Sequence, residues 1–343
     1  MSHDDAAIHN GQLFGLDVGF SEAEVVVLPV PWDVTTSYRS GAASGPDAVI
    51  EASYQVDLYS EWVKDAGNLR LHTLDVPLQI KNKSSELRLQ VEKYLEAITR
   101  GEQETKDFKT IVENVNLESG KLNQWVKKEV ENIVSSGKIP FLLGGDHSVP
   151  FGAVEAMSEA VKEFSILHLD AHADLRKSYE GFEHSHASIM YNILSHAPSV
   201  KRIVQFGIRD YSSTEREMIA SESRLKVFFD DDIQKRLFEG ETWASIVDEI
   251  IEALPTENVY LSFDIDGLDP SLCPTTGTPV PGGISYSQLK YLLFRLGKSK
   301  KKIIGGDLVE VAPRFREDLQ KDQWDGNVGA RVLFMMLLAS RMK

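Results

Sequence analysis

The sequence predicts an α/β protein built on a mostly parallel sheet with helices on both faces, and two observations carry that expectation. After residue 137, apolar β-rich runs alternate with helix-compatible segments, with strands ending near Leu143, Asp170, Gly207, Phe229, Asp264 and Glu310. Such a βαβ rhythm is what parallel strands joined by helical crossovers leave in a sequence. In addition, three of these runs are followed at once by His and Asp: GGDHS at 144–148, DAHAD at 170–174 and SFDID at 262–266. Parallel strands bring their carboxyl ends to one edge of a sheet, where ligands bind. No repeat or low-complexity linker divides the chain, so 1–343 reads as one domain with a charged helical insertion at about 84–136.

The elements follow in order. Residues 23–31 are an edge-proximal strand stopped by Pro29 and Pro31. Residues 35–46 form a Gly/Ser-rich loop, and a helix starts at Pro46-Asp47, where proline suits the first turn and Asp complements the helix dipole. Residues 71–76 are a second strand ended by Pro77. Residues 86–95 and 122–134 have helical spacing, separated by a polar stretch at 101–106. This region reads as a solvated helical insertion, lying on the sheet or at a subunit interface, with no chemistry of its own.

Composition removes several classes of function. A net charge of −15 repels nucleic acid phosphate and anionic membranes, so neither is an expected partner. No apolar run approaches the roughly 20 residues of a membrane span. The polar, acidic start Met1-Ser2-His3-Asp4-Asp5 is unlike a signal peptide. Cys273 is the single cysteine, which excludes an intrachain disulfide, favours a cytoplasmic setting and rules out a cysteine-based zinc cluster.

Taken singly, an Asp after a strand is usually a helix cap, and a single His usually a packed or surface group. Together the three motifs offer His147, Asp170, His172, Asp174, Asp264 and Asp266. If extension persists past the strand ends, the period of two puts Asp170, His172 and Asp174 on one side, and likewise Asp264 and Asp266. Two imidazoles and four carboxylates exceed the needs of one tetrahedral zinc and suit two harder divalent ions with bridging carboxylates.

These motifs, with Thr276-Gly277-Thr278-Pro279 and the segment from Gly306 to Pro313, resemble the arginase/agmatinase family of ureohydrolases, from about Pro31 to the final helix. That resemblance implies a three-layer α/β/α sandwich and two metal ions, manganese first and nickel as the alternative. It implies that His147, Asp170, Asp174 and Asp264 bind one ion, and Asp170, His172, Asp264 and Asp266 the other. Asp146 and Ser148 are then candidates to orient His147, with helix capping as the plainer role for Asp146. His186 matches the family's proton-shuttle histidine, although Ala187-Ser188 departs from its usual Gly-Thr. His184 is the competing histidine. Glu310 matches the carboxylate that grips the guanidinium, and Asp174 is counted with His186 and Glu310 as catalytic.

The implied reaction is hydrolysis of a small cationic guanidino compound to urea and an amine, by a homo-oligomer of trimeric or hexameric type. Agmatine is the expected substrate, because residues 176–183 lack the Asn- and Ser-rich stretch that arginases use for an amino acid head group. Glu180 or Glu183 is expected to receive the distal amine. Trp32 and Tyr38 are candidates for the entrance, where a bulky Trp32 would favour free guanidine instead. Guanidino acids and formimidoylglutamate are further options. His168 is expected to pack or hydrogen-bond in the core, and Cys273 to border the site without acting as a nucleophile. Two other classes compete: a one-zinc deacetylase on a related fold, which Asp174 and Asp266 oppose, and an inactive metal-binding subunit, which the intact residue set opposes.

Overall fold

The computed structural model describes residues 7–75, 77–103, 105–313 and 324–342. Its strands are β1 (Val25–Val30), β2 (Leu71–Thr73), β3 (Ile139–Gly144), β4 (Phe164–Leu169), β5 (Val200–Ile208), β6 (Leu225–Phe229), β7 (Asn258–Asp264) and β8 (Lys302–Val309). They form one sheet in the order β2-β1-β3-β8-β7-β4-β5-β6. Every pairing in it is parallel. All carboxyl ends therefore face one edge. The chain places β3 and β4 on opposite sides of the β8-β7 pair, so the crevice between them opens at the centre of that edge.

The helices are α1 (Gly45–Ser53), α2 (Leu78–Thr99), α3 (Lys106–Ser135), α4 (Phe151–Ala160), α5 (Ile189–His196), α6 (Ser213–Ser221), α7 (Asp230–Phe238), α8 (Trp243–Glu252), α9 (Tyr286–Lys298) and α10 (Trp324–Arg341). Strand alternation splits the apolar residues between two cores. Phe141, Leu143, Leu167 and Leu169 pack with α1, α8, α9 and α10 on one face. Leu142 and Ile166 pack with α2, α3, α4 and α5 on the other. The three-layer α/β/α arrangement follows from strands whose two faces are both apolar. Among the described residues no helix is long and apolar enough to cross a membrane.

Three expectations need correction. Pro29 does not stop β1; it sits within the strand, in register with Leu143. Odd-numbered residues of β1 turn toward β2, as the Leu74 N–H bond to Val27 O shows, and β2 pairing ends at Val27. Pro29 therefore removes no ladder bond. The second strand is shorter than 71–76, ending at Thr73, and Val76 lies outside the described residues, as does the acidic start at Met1 to Asp5. Nor is segment 84–136, expected to be an insertion, merely a solvated face. Leu87, Val91 and Leu95 of α2 and Val115, Val126 and Val130 of α3 are buried in the second core. α2 ends at Thr99, next to the polar stretch, and α3 starts at Lys106, where Thr105 caps the Phe108 N–H.

Candidate active site

The loop after β3 is built around a residue with no side chain. A Cβ on Gly145 would lie 1.9 Å from Trp32 O. That close approach lets Gly145 N–H reach Val30 O and Asp146 N–H reach Trp32 O, while Gly145 O accepts the Glu310 N–H at 2.7 Å. His147 is thereby delivered between β1 and β8, 1 % exposed. Its Nδ1 lies 3.0 Å from Asp170 Oδ2, 3.2 Å from Asp174 Oδ2 and 3.4 Å from Asp264 Oδ2. Nearby, His172 Nδ1 lies 3.5 Å from Asp170 Oδ1 and 3.2 Å from Asp266 Oδ2. All six motif residues thus converge at the carboxyl edge of the sheet, with Asp170 common to both groups.

They do not converge through persistent extension. Asp174 has φ +55°, in the left-handed region that a non-glycine residue adopts at a cost. Asp264 ends β7, and a 3₁₀ turn, Ile265–Gly267, carries Asp266 back, with Asp264 Oδ1 accepting the Asp266 N–H at 2.8 Å. Backbone donors hold other carboxylates too: His172 N–H to Asp170 Oδ1 at 2.6 Å and Ala171 N–H to Asp266 Oδ1 at 3.1 Å. A Cβ on Gly267 would meet Asp170 N at 2.7 Å, so this packing also needs a glycine.

His168 also approaches Asp170 Oδ2, at 3.0 Å through Nε2. Gln205 Nε2 donates to Ala173 O, which fixes the amide orientation, and it also reaches His168 Nδ1 at 2.9 Å. His168 Nδ1 therefore accepts and Nε2–H donates, so this histidine hydrogen-bonds in the core and has no lone pair directed at the cluster.

Left to protons alone, this cluster satisfies itself poorly. Burial and the neighbouring Asp170 charge push Asp174 up to about 7. Burial, Asp266 and Asp170 push Asp264 well above the usual carboxylate range. Burial opposes a charge on His147, yet bonds to Asp170, Asp174 and Asp264 carry its pKa well up. His172 is likewise raised, against burial, by Asp266 and Asp170. Protons are being held where the donor set calls for positive charge, which is what a pair of divalent ions supplies.

Glu310 follows β8 with φ +61°, the second strained acid of the site. Its Oε1 accepts the His147 N–H at 2.9 Å, and its buried Oε2 has no hydrogen-bond partner among the described residues. Burial and then the Asp146 charge raise its pKa well above normal. Glu310 does not line the cavity described next. Its Oε2 lies beside Gly277, where an added Cβ would come within 3.2 Å.

A cavity of about 250 Å3 opens over this centre, with His172, Asp174 and His186 toward the cluster and Tyr38, Tyr179, Asp210 and Tyr211 among its walls. His186, not His184, faces this space; the His184 ring packs instead 5.5 Å from Phe151. Burial, then the charges of His172 and His147, lower His186 to about 3. Its backbone N–H bonds Thr35 Oγ1 at 3.1 Å, and the Thr35 hydroxyl bonds Asp146 Oδ2 at 3.0 Å. Asp146 therefore anchors the loop that holds His186. It neither orients the His147 ring nor caps α4, whose N-cap is Pro150.

The entrance differs from expectation. Trp32 is 2 % exposed and packs in the core, because its backbone is clamped against Gly145; Tyr38 does line the cavity. Neither Glu180 nor Glu183 is among the lining residues, since residues 179–182 turn back on themselves. The exposed acid at the mouth is Asp210, just past β5, with its carboxylate 3.9 Å from His172 Nε2. Sequence reasoning missed it, although its position directly after a strand was the available signal. It also missed Arg209, whose Nη2 donates to Asp266 O, Leu268 O and Val280 O and so ties the 266–280 loop to the site.

A family model described as Arginase family matches residues 23–338. An N(1)-aminopropylagmatine ureohydrolase of Thermus thermophilus is 33% identical over 87% of this chain and 85% of its own length. An agmatinase of Bacillus anthracis is 29% identical over 86% of each. The solved agmatine ureohydrolase of Thermoplasma volcanium superposes with a TM-score of 0.70 over 98% of this chain and 96% of its own, at 23% identity. That last likeness concerns the fold.

Proposed function

The chain belongs to the arginase family and is a ureohydrolase, a hydrolase of carbon–nitrogen bonds; on that premise we propose that it converts agmatine to putrescine and urea with two divalent ions, manganese first. The observation that carries this choice is the cavity mouth. Aromatic walls from Tyr38, Tyr179 and Tyr211 suit an alkyl chain, and the exposed Asp210 carboxylate suits a distal ammonium. Among the described lining residues the one arginine or lysine is Arg176, which stacks on Tyr179 at 4.6 Å and faces Glu215 Oε2 at 3.7 Å, so it is already compensated. Among the described lining residues a guanidino acid finds no uncompensated arginine or lysine. A second reading, aminopropylagmatine, is favoured by the exposure of Tyr38 and Tyr211 in the cavity wall and by the name of the Thermus relative.

His147, Asp170, Asp174 and Asp264 would hold one ion, and Asp170, His172, Asp264 and Asp266 the other; nitrogen and carboxylate donors without thiolate suit manganese or nickel. Bound there, the ions supply Lewis acidity that lowers a water's pKa toward neutrality and offset the carboxylate charge. Glu310 Oε2, buried beside Gly277 and outside the described cavity lining, would receive guanidinium N–H groups of a substrate that reaches past that lining, its other oxygen being held by His147 N–H. His186, kept neutral by burial, would accept the proton that the attacking water gives up and pass it on to the departing amine, with no net uptake from solution.

The test is urea release from agmatine, aminopropylagmatine, guanidine, arginine, guanidinobutyrate and guanidinopropionate, with metal-free protein reloaded with manganese or nickel. Formamide is followed in parallel for formimidoylglutamate. Preference for agmatine with manganese is expected. Urea from guanidine alone, especially with nickel, would keep the chemistry and overturn the substrate.

A further inference from the structure

We propose that the α2–α3 insertion is a positioning scaffold for the substrate mouth and for His186, acting through Arg88 and Asn116. This rests on the role proposed for His186 and extends it. The two helices do more than bury an apolar face, because their polar side chains are spent on the backbone of the two loops that build the cavity.

The first loop is residues 33–38. Ser84 Oγ accepts the Asp33 N–H at 3.3 Å. Arg88, 11 % exposed, directs Nη1 at Asp33 O, Val34 O and Thr36 O, while its Nε bonds Glu92 Oε1. Between those carbonyls sits Thr35, the acceptor for His186 N–H, and just beyond them Tyr38 enters the cavity wall. A half-buried guanidinium spread over three carbonyls fixes the loop's path better than one neutral bond would.

The second loop is the hairpin at 179–182, in which Tyr179 and Phe182 exchange backbone bonds of 3.1 and 2.9 Å around Glu180 (φ +53°) and Gly181 (φ +85°). Asn116 of α3 grips it at two points: Nδ2 donates to Gly181 O at 3.1 Å, and Oδ1 accepts Glu183 N–H at 2.9 Å. Tyr94 of α2 adds its hydroxyl to Glu180 O at 3.0 Å. The hairpin presents Tyr179 to the cavity and sets its ring edge-on to His186 at 5.9 Å. Both arms therefore end on His186, one through Thr35 and one through Tyr179, and neither touches the carboxylate cluster.

The manganese-loaded enzyme and its Asn116→Ala, Asn116→Asp, Arg88→Met and Arg88→Lys variants are compared by amide hydrogen exchange, metal content and urea-release kinetics. In Asn116→Ala the Glu183 amide is expected to exchange on the order of tenfold faster. KM should rise several-fold, with metal content unchanged. Asn116→Asp keeps the acceptor for Glu183 N–H, so that amide stays protected while the Gly181 contact is lost. Arg88→Met should lower kcat on the order of tenfold and displace its pH profile, and Arg88→Lys should recover part of the loss. Unchanged exchange at 179–186 and unchanged kinetics in folded Asn116→Ala and Arg88→Met would overturn the inference. Exchange reports on the scaffold even if no guanidino compound is turned over, so a wrong reading of the reaction is told apart from a wrong reading of the insertion. Should Asn116→Ala fail to fold, Asn116→Asp decides: a fully unprotected Glu183 amide in that variant would count against the proposal.

Discussion

Ser262 turns the ring of His147. The His147 Nε2 lies 3.0 Å from Ser262 Oγ, and that hydroxyl donates over 3.0 Å to Asp307 Oδ1. The hydroxyl can accept only from Nε2–H, so Nδ1 is the nitrogen left facing Asp170, Asp174 and Asp264. A carboxylate, a hydroxyl and an imidazole from β8, β7 and the loop after β3 thus set the orientation of one proposed ligand.

Ser262→Ala should therefore weaken metal binding at the His147 position by about 10–100-fold while leaving the fold intact. Competition against a chelator of known affinity measures this. An unchanged dissociation constant would show that packing alone orients the ring.

His172→Ala is expected to retain one of two ions and lose nearly all turnover, because His172 belongs only to the group formed with Asp170 and Asp266. Elemental analysis of the purified variant decides it; two tightly held ions with full activity would end the two-ion reading.

Glu310→Gln should keep both ions and lower kcat/KM on the order of a hundredfold. The amide oxygen still accepts His147 N–H, but an NH2 group then faces the guanidinium, removing a charge-assisted bond. Loss of metal instead would make Glu310 a support for His147 and not a substrate contact.

Asp210→Asn should raise KM for agmatine several-fold and leave guanidine turnover unaltered, since only the longer substrate reaches the mouth. The difference should shrink at high salt, because Asp210 is exposed and screened. Equal effects on both substrates would place Asp210 in the chemistry, through His172.

Cys273 should resist thiol reagents in the folded protein at pH 8. Burial, then Asp266 and Asp325, push its thiol pKa far up, and Sγ–H donates to Ile265 O at 3.1 Å. A raised pKa keeps the unreactive thiol form through neutral and mildly alkaline pH, and labelling should begin only on unfolding. Stoichiometric labelling of native protein would contradict the tight packing of the 265–273 loop.

The strands and the ligand motifs were legible because both are local. Apolar runs of strand length report burial on two faces, and a motif directly after such a run must lie at a strand's carboxyl end. His147, Asp170 and Asp264 needed nothing more to be set on one edge. The α2–α3 pair was readable as helices but not as a buried layer, since its apolar positions are diluted by charges on the outer face.

Tertiary structure alone decided how those ends meet. Strand order brings β3 and β4 to either side of β8 and β7, and no local pattern encodes an order. The left-handed turns at Asp174 and Glu310 re-aim two acids that regular extension would have pointed elsewhere. Trp32 went to the core and Asp210 to the mouth for the same reason: each depends on what a distant segment occupies. Thr35 and His186, 151 positions apart, share one hydrogen bond, as do Asn116 and Glu183, 67 apart. The sequence by itself determined which chemistry this edge holds; the arrangement of that chemistry rests on pairings whose cost in loop closure is met only when the whole sheet forms.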